Sequence, residues 1–261
     1  MKWDSLVIRA GERNQEWPTK KNRHNELARG NIERSLVRKT SNWLSVISFG
    51  GTMIIEQIQI SGFDVFCYVL GDEETGEGIV VDPGGPAEPI LTRARNRGVT
   101  KIKLIVDTHS HVDHVAGNQA MQQATGAAIA IHEAEADYLA NPNKMMLMMF
   151  NAKASPPATV LLKDSDKITF GKESVEVIHT PGHTPGGICL YFPGHVITGD
   201  TLFVGGVGRT DLPGGSYEVL QASIRTRLFT LPDDTIVLPG HHYGPTPTST
   251  IGREKVENLF I

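Results

Sequence analysis

The chain of 261 residues has only two cysteines, Cys67 and Cys189, far apart and in no Cys-x-x-Cys pair. Their scarcity excludes a disulfide scaffold and a thiolate-rich zinc site, and it fits a reducing, cytoplasmic compartment. No run approaches the ~18 consecutive apolar residues that a spanning helix needs, so no membrane partner is expected. There is no Gly-x-Ser-x-Gly elbow and hence no sign of that serine nucleophile. Positive charge is scarce where a nucleic-acid groove would need it. Residues 1–52 hold ten Lys or Arg against five Asp or Glu, a balance of +5, so the overall −4 leaves −9 for residues 53–261. An acidic body argues against nucleic acid as a partner. What remains, 39% hydrophobic and 21% charged residues, is ordinary globular composition, long enough for a substantial core.

The first 52 residues show no sustained period of 2 or 3.6 and offer only Trp3, Trp17 and Trp43 as apolar anchors. The stretch 43–55 follows Arg34, Arg38 and Lys39 as a signal peptide's apolar part would. Ser45, Ser48, Gly50 and Gly51 break it, and no small-residue cleavage site stands out. A basic extension over 1–52, poorly ordered or loosely docked, is expected; translation starting at Met53 is the other reading. From Met53 the texture becomes regular. Strands are predicted over 54–60, 65–69, 78–81, 102–106, 128–131, 166–170, 173–179, 188–192, 195–199 and 235–238. Helices are predicted over 87–97, 114–125 and 217–230, with a short one near the C-terminus. Strands grouped first, then alternating with helices, suggest stacked sheets covered by helices. The Met-rich segment 140–158 reads as core or lid packing, with a pliable substrate wall as the alternative.

Histidine is the outlier: nine of the ten follow residue 108. Thr108-His109-Ser110-His111-Val112-Asp113-His114 places four potential metal ligands within six residues at the end of an apolar strand. His109 and His111, two apart, share a face in extended backbone. Asp113 and His114 lie where the chain turns into the next helix and can face a second point nearby. Desolvating three imidazoles and a carboxylate together has little purpose other than coordination. His183 in TPGHTPGG, Asp200 in TGDT and His241 in LPGHHY each follow a predicted strand. Taken singly, each is explained by turn chemistry; with the cluster in place, convergence on it is expected. Imidazole and carboxylate without cysteine suit Zn, Fe or Mn. His132, His179, His195 and His242 have no motif support and read as structural or surface residues.

HSHVDH, PGHTPGG, TGDTLF and PGHHYGP, in this order, resemble the metallo-β-lactamase fold hydrolases over about residues 53–261. The resemblance implies a mixed α and β fold, a four-layer αββα sandwich with two divalent metal ions, most readily Zn, at one edge. It implies that one metal takes His109, His111 and His183, the other takes Asp113, His114 and His241, and Asp200 bridges. Asp113 and Asp200 would also hold the hydroxide in line. The β-lactam hydrolases usually lack a His at the position of His114, so antibiotic hydrolysis is not expected. Within the superfamily, GGVGRTDLPGG (205–215) and TIGREK (250–255) resemble the small bacterial type II glyoxalases. These are hydroxyacylglutathione hydrolases, which cleave a thioester such as S-lactoylglutathione by a metal-bound hydroxide. Arg209 and Tyr243 then fall at substrate-binding positions. Asp211 stands where larger members carry an aromatic residue, which puts the glutathione carrier in question. The plainer reading of Arg209 is a loop salt bridge with an acidic neighbour. For Gly205, Gly206 and Gly208 the choice is between an anion-binding nest and an ordinary turn.

The nearest rival is an iron-dependent persulfide dioxygenase of the same fold, its two His and one Asp matching His109, His183 and Asp200. A nuclease of this fold would need a basic face that residues 53–261 lack. A non-catalytic metal-binding module would leave an open coordination position without purpose. The expected partner is a small-molecule thioester.

Overall fold

The computed structural model describes residues 53–61 and 64–261, so the extension expected over residues 1–52 lies outside the described residues. The first sheet is built from β1 (Met53–Ile60), β2 (Val65–Asp72), β3 (Glu77–Val81), β4 (Lys101–Val106), β5 (Ala128–His132) and β6 (Val160–Leu162) in that spatial order. β1 to β3 form an antiparallel meander, and β3 to β6 run parallel. Its helices are α1 (Ala87–Asn96), α2 (Val112–Val115), α3 (Asn118–Thr125), α4 (Ala136–Ala140) and α5 (Lys144–Met149). The second half contributes β7 (Lys167–Phe170), β8 (Glu173–His179), β9 (Ile188–Phe192), β10 (His195–Gly199), β11 (Leu202–Phe203), β12 (Gly206–Val207), α6 (Tyr217–Ser223), β13 (Ile236–Pro239), β14 (Ser249–Thr250) and α7 (Ile251–Glu257). The second sheet runs β14-β13-β10-β9-β8-β7, with β11 and β12 forming a separate hairpin.

The side-chain period of two in each strand sorts apolar residues between two faces, and this dictates four layers. Along β2, Phe66, Tyr68 and Leu70 enter the cluster between the sheets, while Val65, Cys67 and Val69 enter the cluster under α1 and α3. Ile188, Leu190 and Phe192 of β9 meet the first set from the opposite sheet. On the outer face of the second sheet, Cys189, Val196 and Val237 pack against Leu220, Ile224 and Ile251. A strand apolar on both faces is therefore a strand covered on both faces. The αββα sandwich expected from the sequence is the observed architecture.

Local differences from the sequence reading have physical causes. The single helix read over 114–125 is two, α2 and α3, separated at Gly117. A Cβ there would lie 2.1 Å from the carbonyl oxygens of Pro83 and Gly85, because the turn after β3 packs on it. α6 continues into a π-helical turn, Ile224–Leu228. β6, β11, β12 and β14 have two or three residues each, too few to show a period. The Met-rich segment forms α5, which has no buried residue and exposes Met145, Met148 and Met149. The reading as core filler is thus corrected.

Tyr68 joins the fold to the site. Its buried hydroxyl donates to the Pro239 carbonyl (2.6 Å) and accepts from Gln57 Nε2 (3.0 Å), holding the end of β13 against the first sheet. Tyr68→Phe is expected to cost about 1–3 kcal/mol for the buried carbonyl left unsatisfied. Urea unfolding should show a lower midpoint with an unchanged slope.

Candidate metal centre

All the strand-end loops carrying the motif residues open at one edge of the sandwich. β4 runs into His109 and His111, the turn α2 presents Asp113 and His114, and the β8–β9 loop carries His183. Asp200 follows β10 and His241 follows β13. The two sheets are tied together at this edge. Ile188 N–H donates to the Thr108 carbonyl (3.0 Å) and Phe66 N–H to the Gly240 carbonyl (2.7 Å). Glycine is required where the loops close on each other: a Cβ on Gly240 would stand 2.4 Å from Asp200 Oδ1, and one on Gly199, at φ +46°, 2.6 Å from Thr108 Oγ1.

The seven expected ligands come together. His109 Nε2, His111 Nδ1 and His183 Nε2 lie 2.9–3.3 Å apart in a triangle. Beside it, His241 Nε2 is 3.3 Å from Asp113 Oδ2 and 3.2 Å from His114 Nε2. Asp200 stands between the two sets, with Oδ1 3.3 Å from His114 Nε2 and Oδ2 3.6 Å from His183 Nε2 and 3.5 Å from His241 Nε2. The remaining ring nitrogens assign the tautomers. Thr108 Oγ1–H donates to Asp82 Oδ2 (2.7 Å), so the same oxygen accepts from His109 Nδ1–H (3.1 Å). His183 Nδ1–H donates to the Arg209 carbonyl (2.6 Å), and His114 Nδ1–H to Asp82 Oδ2 (2.9 Å). The Nε2 atoms of all three therefore face inward, the orientation that outer partners impose on ligand histidines.

The donor set fits cations. Three inward imidazole nitrogens have too few protons to satisfy one another, and buried Asp200 Oδ1 has no donor in hydrogen-bonding geometry. Burial, reinforced by His114, pushes His109 well below the ordinary imidazole range, and burial with His183 brings His111 down to about 4. Both are thus neutral and keep their lone pairs at neutral pH. Burial alone would lower His114 too, but Asp200, Asp82 and Asp113 hold it well above its usual value. Burial works against Asp113 as well, yet His114 and His241 keep it ionised, down to about 2. The same carboxylate field favours a metal ion.

The substrate candidates are placed differently. Arg209 grips Asp211 through a two-pronged pair, Nε to Oδ1 and Nη2 to Oδ2, both 2.7 Å, on an exposed loop. The salt bridge weighed as the plainer reading is present. Tyr243 stacks flat on His241, with centroids 4.6 Å apart and planes 6° apart, and meets Phe203 edge-on. Gly205 forms the β11–β12 turn at φ +70°, and its N–H donates to the carboxylate of Glu254 (2.9 Å). The anion at this turn is thus an internal one. His132 stacks on His179, His195 on Phe192, and His242 leans on Phe66, and none of them belongs to a donor set. Burial pushes the Cys67 thiol well up and the Cys189 thiol to about 11, so both stay protonated and inert.

Two residues of the centre have no motif of their own. Asp82 stands between β3 and Pro83-Gly84-Gly85 with no other ligand-type residue beside it, yet it accepts from Thr108 N–H, Thr108 Oγ1–H and His114 Nδ1–H. It does so at φ +50°, a left-handed conformation that Asp tolerates better than most residues. Glu135 accepts from Ser110 and from Gly186 N–H, 25 and 51 residues away, and no local spacing signals it.

The chain matches the family described as Metallo-beta-lactamase superfamily over residues 60–241. Hydroxyacylglutathione hydrolase GloC of Haemophilus influenzae is 35% identical over 80% of this chain and 98% of its own length. The human mitochondrial persulfide dioxygenase ETHE1 is 27% identical over 80% of this chain and 76% of its own. The crystal structure of BLEG-1, a B3 metallo-beta-lactamase, superposes with a TM-score of 0.72 at 32% identity, covering 79% of this chain and 99% of that one. Among the described residues no helix is long and apolar enough to cross a membrane.

Proposed function

Because the chain belongs to the metallo-beta-lactamase superfamily, we propose that it is a binuclear metal-dependent thioester hydrolase of the hydroxyacylglutathione hydrolase kind. One observation carries this reading: seven donor side chains form two sets with Asp200 between them. A single metal takes three or four protein ligands, so seven imply two ions. His109, His111 and His183 would hold one, Asp113, His114 and His241 the other, and Asp200 both. Zn suits these nitrogen and oxygen donors, with Fe and Mn as alternatives. Two divalent cations held there would lower the pKa of a water toward ~7 and would polarise an acyl carbonyl. Asp82 keeps Nε2 of His114 aimed inward directly and that of His109 through Thr108, and the low proton affinity of His109 and His111 leaves their lone pairs available. A thiolate is a good leaving group, so little acid assistance is needed.

The carrier of the acyl group is assigned to an anionic thiol of the glutathione kind. Arg209 would exchange Asp211 for a substrate carboxylate, an inexpensive exchange because exposed ion pairs are weakly held. Arg209→Ala is expected to raise KM for S-lactoylglutathione about ten- to a hundred-fold, the worth of a charged contact, with kcat within a few-fold. An unchanged KM would make the arginine a brace for its loop.

A persulfide dioxygenase is the second reading, favoured by the resemblance to the human enzyme. Metal analysis of the purified full chain, with S-lactoylglutathione, glutathione persulfide and a β-lactam as substrates, separates the possibilities. The expected result is about two metals per chain by ligand count, thioester turnover, and no oxygen uptake with persulfide. One iron per chain with oxygen uptake, or turnover of the β-lactam alone, would overturn the proposal.

A further inference from the structure

We infer that Glu135 is a positioning residue for the three-histidine donor set and not for the other set, an inference that rests on the two-metal reading. Glu135 lies in the 3-10 turn that follows β5, Glu133–Glu135, and is fully buried. Its Oε2 accepts from the backbone N–H of Ser110 (3.1 Å) and from the Ser110 hydroxyl, and its Oε1 accepts from Gly186 N–H (2.9 Å). Ser110 is the residue between His109 and His111, and Gly186 lies three residues after His183. One carboxylate thus ties the loop that supplies two of the histidines to the loop that supplies the third, and these loops belong to different sheets.

The other set is held by different groups. His114 is fixed by Asp82, and the approach to His241 is held by Tyr68 on the Pro239 carbonyl and Phe66 on the Gly240 carbonyl. None of these contacts involves Glu135. Across the first set, the additional tie between the same two loops is Ile188 N–H on the Thr108 carbonyl, a bond at the strand end rather than beside His183. The chemistry also requires a carboxylate. Three donors converge on two oxygens, and a Gln has only one oxygen. If that oxygen faces Ser110, its NH2 faces the Gly186 N–H, donor against donor. The two loops then lose their common acceptor, while the shape of the side chain is kept.

Outer partners of metal ligands are typically worth about 10–100-fold in metal affinity. Glu135→Gln is expected to show a loss of that size in one set only. The experiment measures zinc affinity by chelator competition on the metal-free full chain, in two backgrounds. His241→Ala leaves the three-histidine set intact, and His111→Ala leaves the set of Asp113, His114 and His241. Adding Glu135→Gln should weaken zinc about 10–100-fold in the first background and change it less than about threefold in the second. Equal losses in both backgrounds, or none in either, would overturn the inference. Should Glu135→Gln prevent folding, as judged by thermal unfolding of the metal-free protein, Ser110→Ala decides. It removes one of the three donors and keeps the backbone bond, and a few-fold loss confined to the first background is expected. An equal effect in both backgrounds again rejects the assignment. A wild-type chain that binds zinc at two sites without cleaving thioesters would sink the proposed reaction and leave this inference standing.

Discussion

On the proposed two-metal reading, Asp200→Ala is expected to strip metal from the protein and to lower kcat by roughly a thousandfold or more, since the activated water would depend on both ions. Asp200 is buried among His114, His183 and His241, with no carboxylate oxygen more than 3.6 Å from an imidazole nitrogen of this group. Burial resists its charge, but His241 and His114 keep it ionised, well below the usual carboxylate range. Its removal takes a donor from both sets at once and would leave two bound cations with less compensating charge. A thousandfold corresponds to about 4 kcal/mol of barrier. Metal content after dialysis and steady-state kinetics on S-lactoylglutathione check it together. A variant that keeps both metals and a near-normal kcat would show that Asp200 does not bridge. The contrast with Arg209→Ala is in the parameter affected: one change acts on the reacting centre, the other on binding of substrate and transition state alike.

Asp82→Ala is expected to damage the fold and the centre together. Thr108 N–H (2.7 Å), Thr108 Oγ1–H (2.7 Å) and His114 Nδ1–H (2.9 Å) all lose their buried acceptor. At about 1–3 kcal/mol for each unsatisfied buried group, the loss is about 3 kcal/mol or more, a large part of the 5–15 kcal/mol typical of a domain. Alanine also tolerates φ +50° less well than Asp. Metal affinity should fall in both donor sets, about 10–100-fold, because Thr108 orients His109 while Asp82 itself orients His114. Urea unfolding of the metal-free chain and chelator competition measure the two effects separately. Wild-type affinity in both sets would reduce Asp82 to a turn residue. Glu135→Gln differs in being selective, so the pair of variants distinguishes the two supports of the centre.

The legibility of the centre follows from how its residues are spaced. His109, His111, Asp113 and His114 are crowded into six positions after a strand, and crowding of ligand types is visible without coordinates. His183, Asp200 and His241 were legible because each follows a β-rich segment, and strand ends in stacked sheets deliver loops to a common edge. The four histidines without motif support found aromatic or backbone partners elsewhere. Methionines 145, 148 and 149 were misread because composition alone does not say whether a helix has a neighbour, and α5 has no buried residue. The glycine-rich run at 205–208 left a choice between a nest and a turn. Glu254, about fifty residues on, supplies the carboxylate that its first N–H takes.

By itself the sequence carried the layered architecture, through strands grouped first and then alternating with helices and through the resemblance of its motifs, and it marked the seven residues that gather at the edge. Only the tertiary structure decided how those residues are held. The tautomers of His109, His114 and His183 depend on Asp82, Thr108 and the Arg209 carbonyl. Glu135 meets loops 25 and 51 residues away, and Arg209 pairs with Asp211 on an exposed loop. The physical reason is range. Periodicity and turn chemistry act over a few residues and leave a pattern in the chain, whereas a buried carboxylate is satisfied by whichever donors folding brings within ~3 Å of it.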